Sequence, residues 1–122
     1  MMQTFLGSKS YVSDVADNGT FVTVLTVPNG FHVKVNYLLI TAKATTTVDG
    51  QWVHEVNGGT TNTAFLHSKN LQSGEFVDFG GTEGKYLVMT DGDELQIKST
   101  AADTTVIISY EFYPHQGSNI DL

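Results

Sequence analysis

The chain has 122 residues with a formal net charge of −7, from six basic and thirteen acidic side chains. This length suits one domain with a single core. All six basic residues are lysine, scattered along the chain, and the absence of an arginine cluster argues against a grip on a nucleic-acid backbone. There is no cysteine, which removes a disulfide framework and thiolate chemistry. No apolar run is long enough for a membrane span, and residues 1–10 lack the basic start and apolar run of a secretory signal. No membrane partner and no direct nucleic-acid partner is expected.

Residues 1–20 alternate poorly, with Phe5, Leu6, Tyr11 and Val12 in a polar setting. They are expected to form an N-terminal arm. The first clear strand is 21–27, where Phe21, Thr23, Leu25 and Val27 share a face, and Pro28-Asn29-Gly30 ends it. A long strand follows over 31–43, with Phe31, Val33, Val35, Tyr37 and Leu39 on one side. Its pattern blurs at Leu38-Leu39-Ile40, where either both faces are covered or a bulge sits.

Asp49-Gly50 reads as a turn, and Trp52, His54 and Val56 then alternate with Val53 and Glu55. Asn57-Gly58-Gly59 is a hairpin signal leading into a strand over 61–71. Further strands are expected at 76–79, 86–89, 95–99 and 104–113, separated by Gly- and Asp-rich turns. Residues 115–122 are polar and read as a C-terminal tail. The expected fold is therefore all-β: an antiparallel eight-stranded β-sandwich of jelly-roll type over residues 21–114, with an N-terminal arm (1–20) and a C-terminal tail (115–122). No segment between strands has room for a crossover helix, which excludes parallel βαβ units.

Chemistry is sparse. His32, His54, His67 and His115 share no metal-ligand spacing, although His54 and His67 would meet if the hairpin at 57–59 set them opposite. Asp91-Gly92-Asp93-Glu94 is the densest acidic cluster; it reads as a turn followed by a strand start rather than as a calcium loop. Glu55 and Glu111 fall in different strands with nothing to pair them as glycosidase carboxylates. The run 80–85 holds glycines and Lys85, but it is not a phosphate loop and no helix follows. There is no Gly-x-Ser-x-Gly elbow. No enzymatic activity, metal or cofactor is expected. Trp52, beside a turn, is a possible surface aromatic, and with Tyr11, Tyr86, Tyr110 and Tyr113 it could form a sugar-stacking platform.

Two stretches carry a resemblance. Val27-Pro28-Asn29-Gly30 opens into a strand ending Leu39-Ile40-Thr41-Ala42. Further on, Leu87 to Leu95 contains Asp91-Gly92-Asp93-Glu94-Leu95, followed by Ser99-Thr100-Ala101-Ala102 and a closing Ser109-Tyr110 strand. In this order the motifs resemble small jelly-roll structural proteins of tailed-bacteriophage virions, of the capsid cement or decoration type. The resemblance spans residues 21–113 and leaves 48–84 unmatched. It implies a homo-oligomer, commonly a trimer, that binds the major capsid protein on the virion surface after assembly in the host cytoplasm. Phe5, Leu6, Tyr11 and Val12 are then the expected capsid or partner contacts. An alternative is a tail or fibre accessory protein with a carbohydrate- or receptor-binding sandwich face built on Trp52.

Overall fold

The computed structural model describes residues 7–15, 20–56, 59–80, 87–100 and 104–114. These form nine strands: β1 (Gly7–Val15), β2 (Val22–Thr26), β3 (Phe31–Ala42), β4 (Thr46–Val56), β5 (Gly59–Leu71), β6 (Phe76–Gly80), β7 (Leu87–Met89), β8 (Glu94–Ser99) and β9 (Thr104–Pro114). No helix occurs among the described residues.

The strands make two antiparallel sheets. One runs β1-β9-β3-β6, with β7 also paired to β3; the other runs β2-β8-β4-β5. Strands β6 and β7 share one edge position: β6 pairs with Tyr37 to Thr41 of β3, and β7 with Val33 to Val35 of the same strand. Counting that shared position once gives eight positions, ordered 1-8-3-6 and 2-7-4-5. This is the double Greek key of a jelly roll. The expected fold class therefore holds. Its strand inventory needs a correction, because 76–79 and 86–89 count as one position and the eighth comes from the N-terminal segment.

The expected arm is thus wrong in its middle. Gly7–Val15 hydrogen-bonds along β9, from Gly7 opposite Phe112 to Val15 opposite Thr104, and is the first strand of the jelly roll. Residues 1–6 and 16–19, which hold Phe5 and Leu6, lie outside the described residues, as does the tail 115–122.

Alternation places the core between the sheets. Val33, Val35, Leu38, Ile40, Val106, Ile108 and Met89 come from the first sheet, and Val24, Val48, Leu71, Leu95 and Ile97 from the second; all are buried. In β3 a register shift between Val35 and Tyr37 marks a bulge, so that 33 and 35 point inward before it and 38, 40 and 42 after it.

Asp49-Gly50 does not turn the chain. Both residues lie within β4, at a register shift against β5. A Cβ on Gly50 would stand 2.5 Å from the Phe65 ring, so the missing side chain makes room for that aromatic, which also meets Phe79 edge-on at 5.3 Å. Across the bulge the Asp49 carboxylate accepts a hydrogen bond from the Ser68 backbone N–H at 3.2 Å, supporting Ser68 at a φ of 49°.

Two outcomes test this architecture. Deleting residues 1–15, and β1 with them, should abolish the cooperative transition seen by calorimetry. Gly50→Val should destabilise by about 2 kcal/mol in urea titration, and Phe65→Ala in the same chain should recover part of that loss; simple additivity would remove the ring from the account.

Candidate functional site

The acidic cluster resolves into a structural knot. Thr90 to Asp93 form a turn closed by the Asp93 N–H donating to the Thr90 carbonyl at 2.9 Å, with Gly92 at a φ of 76° that a side chain would resist. The turn delivers Asp93 to the start of β8 with its side chain fully buried. Its carboxylate accepts from the Thr90 N–H (3.0 Å), the Trp52 indole N–H (3.1 Å) and His54 Nδ1 (2.8 Å). The His54 tautomer with its proton on Nδ1 is the one that donates to this carboxylate. The backbone joins in: Val27 N–H donates to the Asp93 carbonyl and Gly92 N–H to the Val27 carbonyl, both at 2.9 Å, which fastens the end of β2 to the turn. A carboxylate held by three donors from inside the sandwich is committed to the fold and offers no open coordination sphere.

Trp52 therefore serves a different role from a surface platform. Its ring is half-buried against the core, lies 5.3 Å from the His54 ring, and spends its one donor on Asp93. The tyrosines are not gathered beside it. Tyr110 is buried in β9, in the opposite sheet, and the Tyr113 hydroxyl donates to Glu111. Tyr86 lies outside the described residues. Tyr11 and Val12 sit in β1, opposite Ile108 and Ile107 of β9.

The remaining candidates also separate. His54 does not meet His67, because the β4–β5 register sets His54 opposite Thr61; His67 instead approaches the Asp49 carboxylate at 3.3 Å with its side chain mostly in solvent. His32 stacks on Tyr113 at 5.8 Å. Glu55 belongs to β4 and Glu111 to β9, in different sheets. Glu111 accepts hydrogen bonds from the Tyr113 hydroxyl and from Asn36 Nδ2, and with Lys34 nearby these hold its carboxyl below the ordinary value against the opposing effect of desolvation. Among the described residues no group of three or more His, Asp or Glu is placed to hold a metal ion.

One concavity was not foreseen. A cavity of about 320 Å³ lies between the sheets, lined by Val35, Leu38, Phe65, Phe79, Gly80, Leu87 and Leu95, at the side bounded by β5 and the shared β6–β7 position. Its lining side chains are all apolar, so nothing there would orient or activate a polar substrate. Phe65 and Phe79 come together there from strands of different sheets, a contact that local sequence pattern does not reveal.

Fold and site together define a jelly-roll β-sandwich whose polar interior is spent on structure. No family model matches the chain, and no curated protein matches it. Solved structures do. The chain is similar to one in the structure of infectious bursal disease virus Gx strain, at 12% identity over 97% of this chain and 34% of that one, with a TM-score of 0.51. A crystal structure of the T13 particle of the same virus matches at 12% identity over 95% of this chain and 31% of that one, TM-score 0.50. The VP2 subviral particle of that virus matches at 13% identity over 93% and 33%, also with a TM-score of 0.50. This chain spans about a third of the length of those chains. At such identities the likeness is one of fold: a jelly roll resembling that of a viral capsid protein, with no particular tie to tailed bacteriophages.

The knot has a measurable cost of removal. Asp93→Ala should destabilise the protein by about 3 kcal/mol, because it leaves the half-buried Trp52 and Thr90 donors without this acceptor, and Asp93→Asn should cost less. Trp52 is the one tryptophan, so its emission reports the change directly in a urea titration. An unshifted midpoint for Asp93→Ala would remove the knot from the stability account.

Proposed function

We propose that this chain is a non-enzymatic structural protein of a tailed-bacteriophage virion, and that it acts as a capsid cement or decoration protein. In this reading it binds the major capsid protein and stabilises the assembled shell, working on the virion surface after assembly in the host cytoplasm. The observation that carries the reading is the complete eight-position jelly roll, a fold shared with a viral capsid protein, in a chain whose motif order from Val27 to Tyr110 resembles such phage proteins.

The chemistry of the interior supports it. The densest acidic cluster and the sole tryptophan are consumed in holding strands together, and what remains available is surface. Cementing needs a rigid block and a set of contacts to neighbouring subunits. The sandwich supplies the block. The proposed shell contacts are Phe5 and Leu6, which precede β1, together with Tyr11 and Val12 of β1. Self-association belongs to the same reading. The carbohydrate-binding alternative rested on an exposed Trp52, and the indole bound inward to Asp93 removes its motive.

Co-sedimentation with shells assembled from the major capsid protein of the same particle tests this. The intact chain should sediment with the shells at a copy number in the hundreds and raise the temperature at which they rupture. A chain bearing Phe5→Ser and Leu6→Ser should bind at least about tenfold more weakly at an unchanged melting temperature. Failure of the intact chain to sediment with shells would overturn the cement role, and full binding by the double variant would overturn the assignment of Phe5 and Leu6.

A further inference from the structure

An antiparallel sheet covered on one face by the core presents polar side chains on the other. The β2-β8-β4-β5 sheet does so. On its outer face Thr23 Oγ1 donates to Glu94 at 2.9 Å, Gln96 Nε2 to Glu94 at 2.8 Å, and Gln51 Nε2 to Gln96 at 2.7 Å. The β1-β9-β3-β6 sheet also carries polar pairs outside, with Asn36 Nδ2 donating to Glu111 at 3.0 Å and the Tyr37 hydroxyl to Asp78 at 3.1 Å, but it sets an aliphatic pair between them. Leu39 and Ile107 are opposite one another in the β3–β9 register, each flanked in sequence by buried residues: Leu38 and Ile40 in one case, Val106 and Ile108 in the other. Both therefore point away from the core. Phe76 and Val88, on the same outer side of the shared β6–β7 edge, are 60% and 51% exposed. Every described strand belongs to one of the two sheets, so none of them lies over this face.

We propose that the outer face of the β1-β9-β3-β6 sheet is the surface on which a second copy of this chain packs, with Leu39 and Ile107 at its centre. This deepens the self-association part of the reading above and rests on it.

Charge selects the occupant. Two copies that each carry −7 repel unless they meet where the local charge nearly cancels. Among the described side chains this face holds Lys34 in register with Glu111, and Asp78 accepting from the Tyr37 hydroxyl at 3.1 Å. One cation beside two carboxylates gives two copies of the face complementary groups to exchange, with the aliphatic pair between them. A strongly basic partner would find little to attract it here. The centre is apolar and the charged groups lie around it, as in a self-contact that excludes water.

Sedimentation velocity on the full chain is the test. The intact chain should associate with rising concentration. Ile107→Lys and Leu39→Lys, each made singly and checked by circular dichroism, should weaken association at least about a hundredfold. Val53→Lys, on the outer face of the other sheet, should leave it unchanged. If the lysine variants fail to fold, the cysteine-free sequence permits a second route: Ser109→Cys should give dimers with a short bis-maleimide, and Gln51→Cys should not. An intact chain that stays monomeric overturns the proposal, as do folded lysine variants that associate normally or equal cross-linking at both positions. Shell binding is read separately. A monomer that still coats shells overturns the self-contact and spares the cement role; association lost in Ile107→Lys from a chain that never coats shells supports the contact and overturns that role.

Discussion

The structure depends on one buried carboxylate. Asp93 has no exposed surface, and a carboxyl group in that position is tolerated only when hydrogen-bond partners replace the water it has lost. Those partners come from the turn before β8, through Thr90, and from β4, through Trp52 and His54. The residue's own backbone carbonyl then takes the N–H of Val27 at the end of β2. Three neighbouring strands of one sheet are thereby fixed at one end. Because β8 lies between β2 and β4, fixing its start also sets the register of the sheet's other ladders.

The opposite end of β8 is fixed by neutral groups. Ser99 is fully buried, and its hydroxyl shares 2.7 Å hydrogen bonds with Thr46 at the start of β4 and Thr104 at the start of β9. That chain of hydroxyls links the two sheets where the chain passes from one to the other. One central strand is thus held by a carboxyl knot at one end and a hydroxyl relay at the other, with Leu95 and Ile97 buried between them. Such an arrangement suits a rigid block, since slippage of β8 by one residue would expose its apolar face and break both ends together.

How much of this was legible follows from which physical signal each feature leaves. Strands buried on one face write their pattern into the sequence, and β2, β3, β8 and β9 were read close to their true bounds. The Asp91-Gly92 turn was legible because turn chemistry is local. Strand β1 was not, because its residues Gly-Ser-Lys-Ser-Tyr-Val-Ser-Asp-Val do not alternate, and what makes them a strand is the backbone ladder with β9, a partner about a hundred residues away in sequence. Asp49-Gly50 misled for the opposite reason: Asp-Gly is a strong local turn signal, and the Phe65 ring that gives the glycine a packing role comes from a different strand. Asp93 was legible as an acidic residue near a turn, but its burial was not, since two of its three donors, Trp52 and His54, come from β4, far back in the sequence.

The blurred stretch at Leu38-Leu39-Ile40 held more than it first offered. Two explanations were open, a bulge or a strand covered on both faces. The bulge exists, but it lies before this stretch, between Val35 and Tyr37, and it accounts for the change of phase without accounting for Leu39. Once the phase is corrected, Leu38 and Ile40 are core and Leu39 is left on the outside, in register with Ile107, which breaks alternation in the same way in β9. One outward aliphatic residue is ordinary, because folded surfaces are rich in apolar atoms. Two in register on central strands, beside an exposed phenylalanine, form a patch between polar pairs such as Asn36–Glu111 and Tyr37–Asp78, whereas the other sheet continues its polar ladder across its centre through Gln51, Gln96 and Glu94. An apolar centre between polar groups is the pattern of a surface that meets another surface.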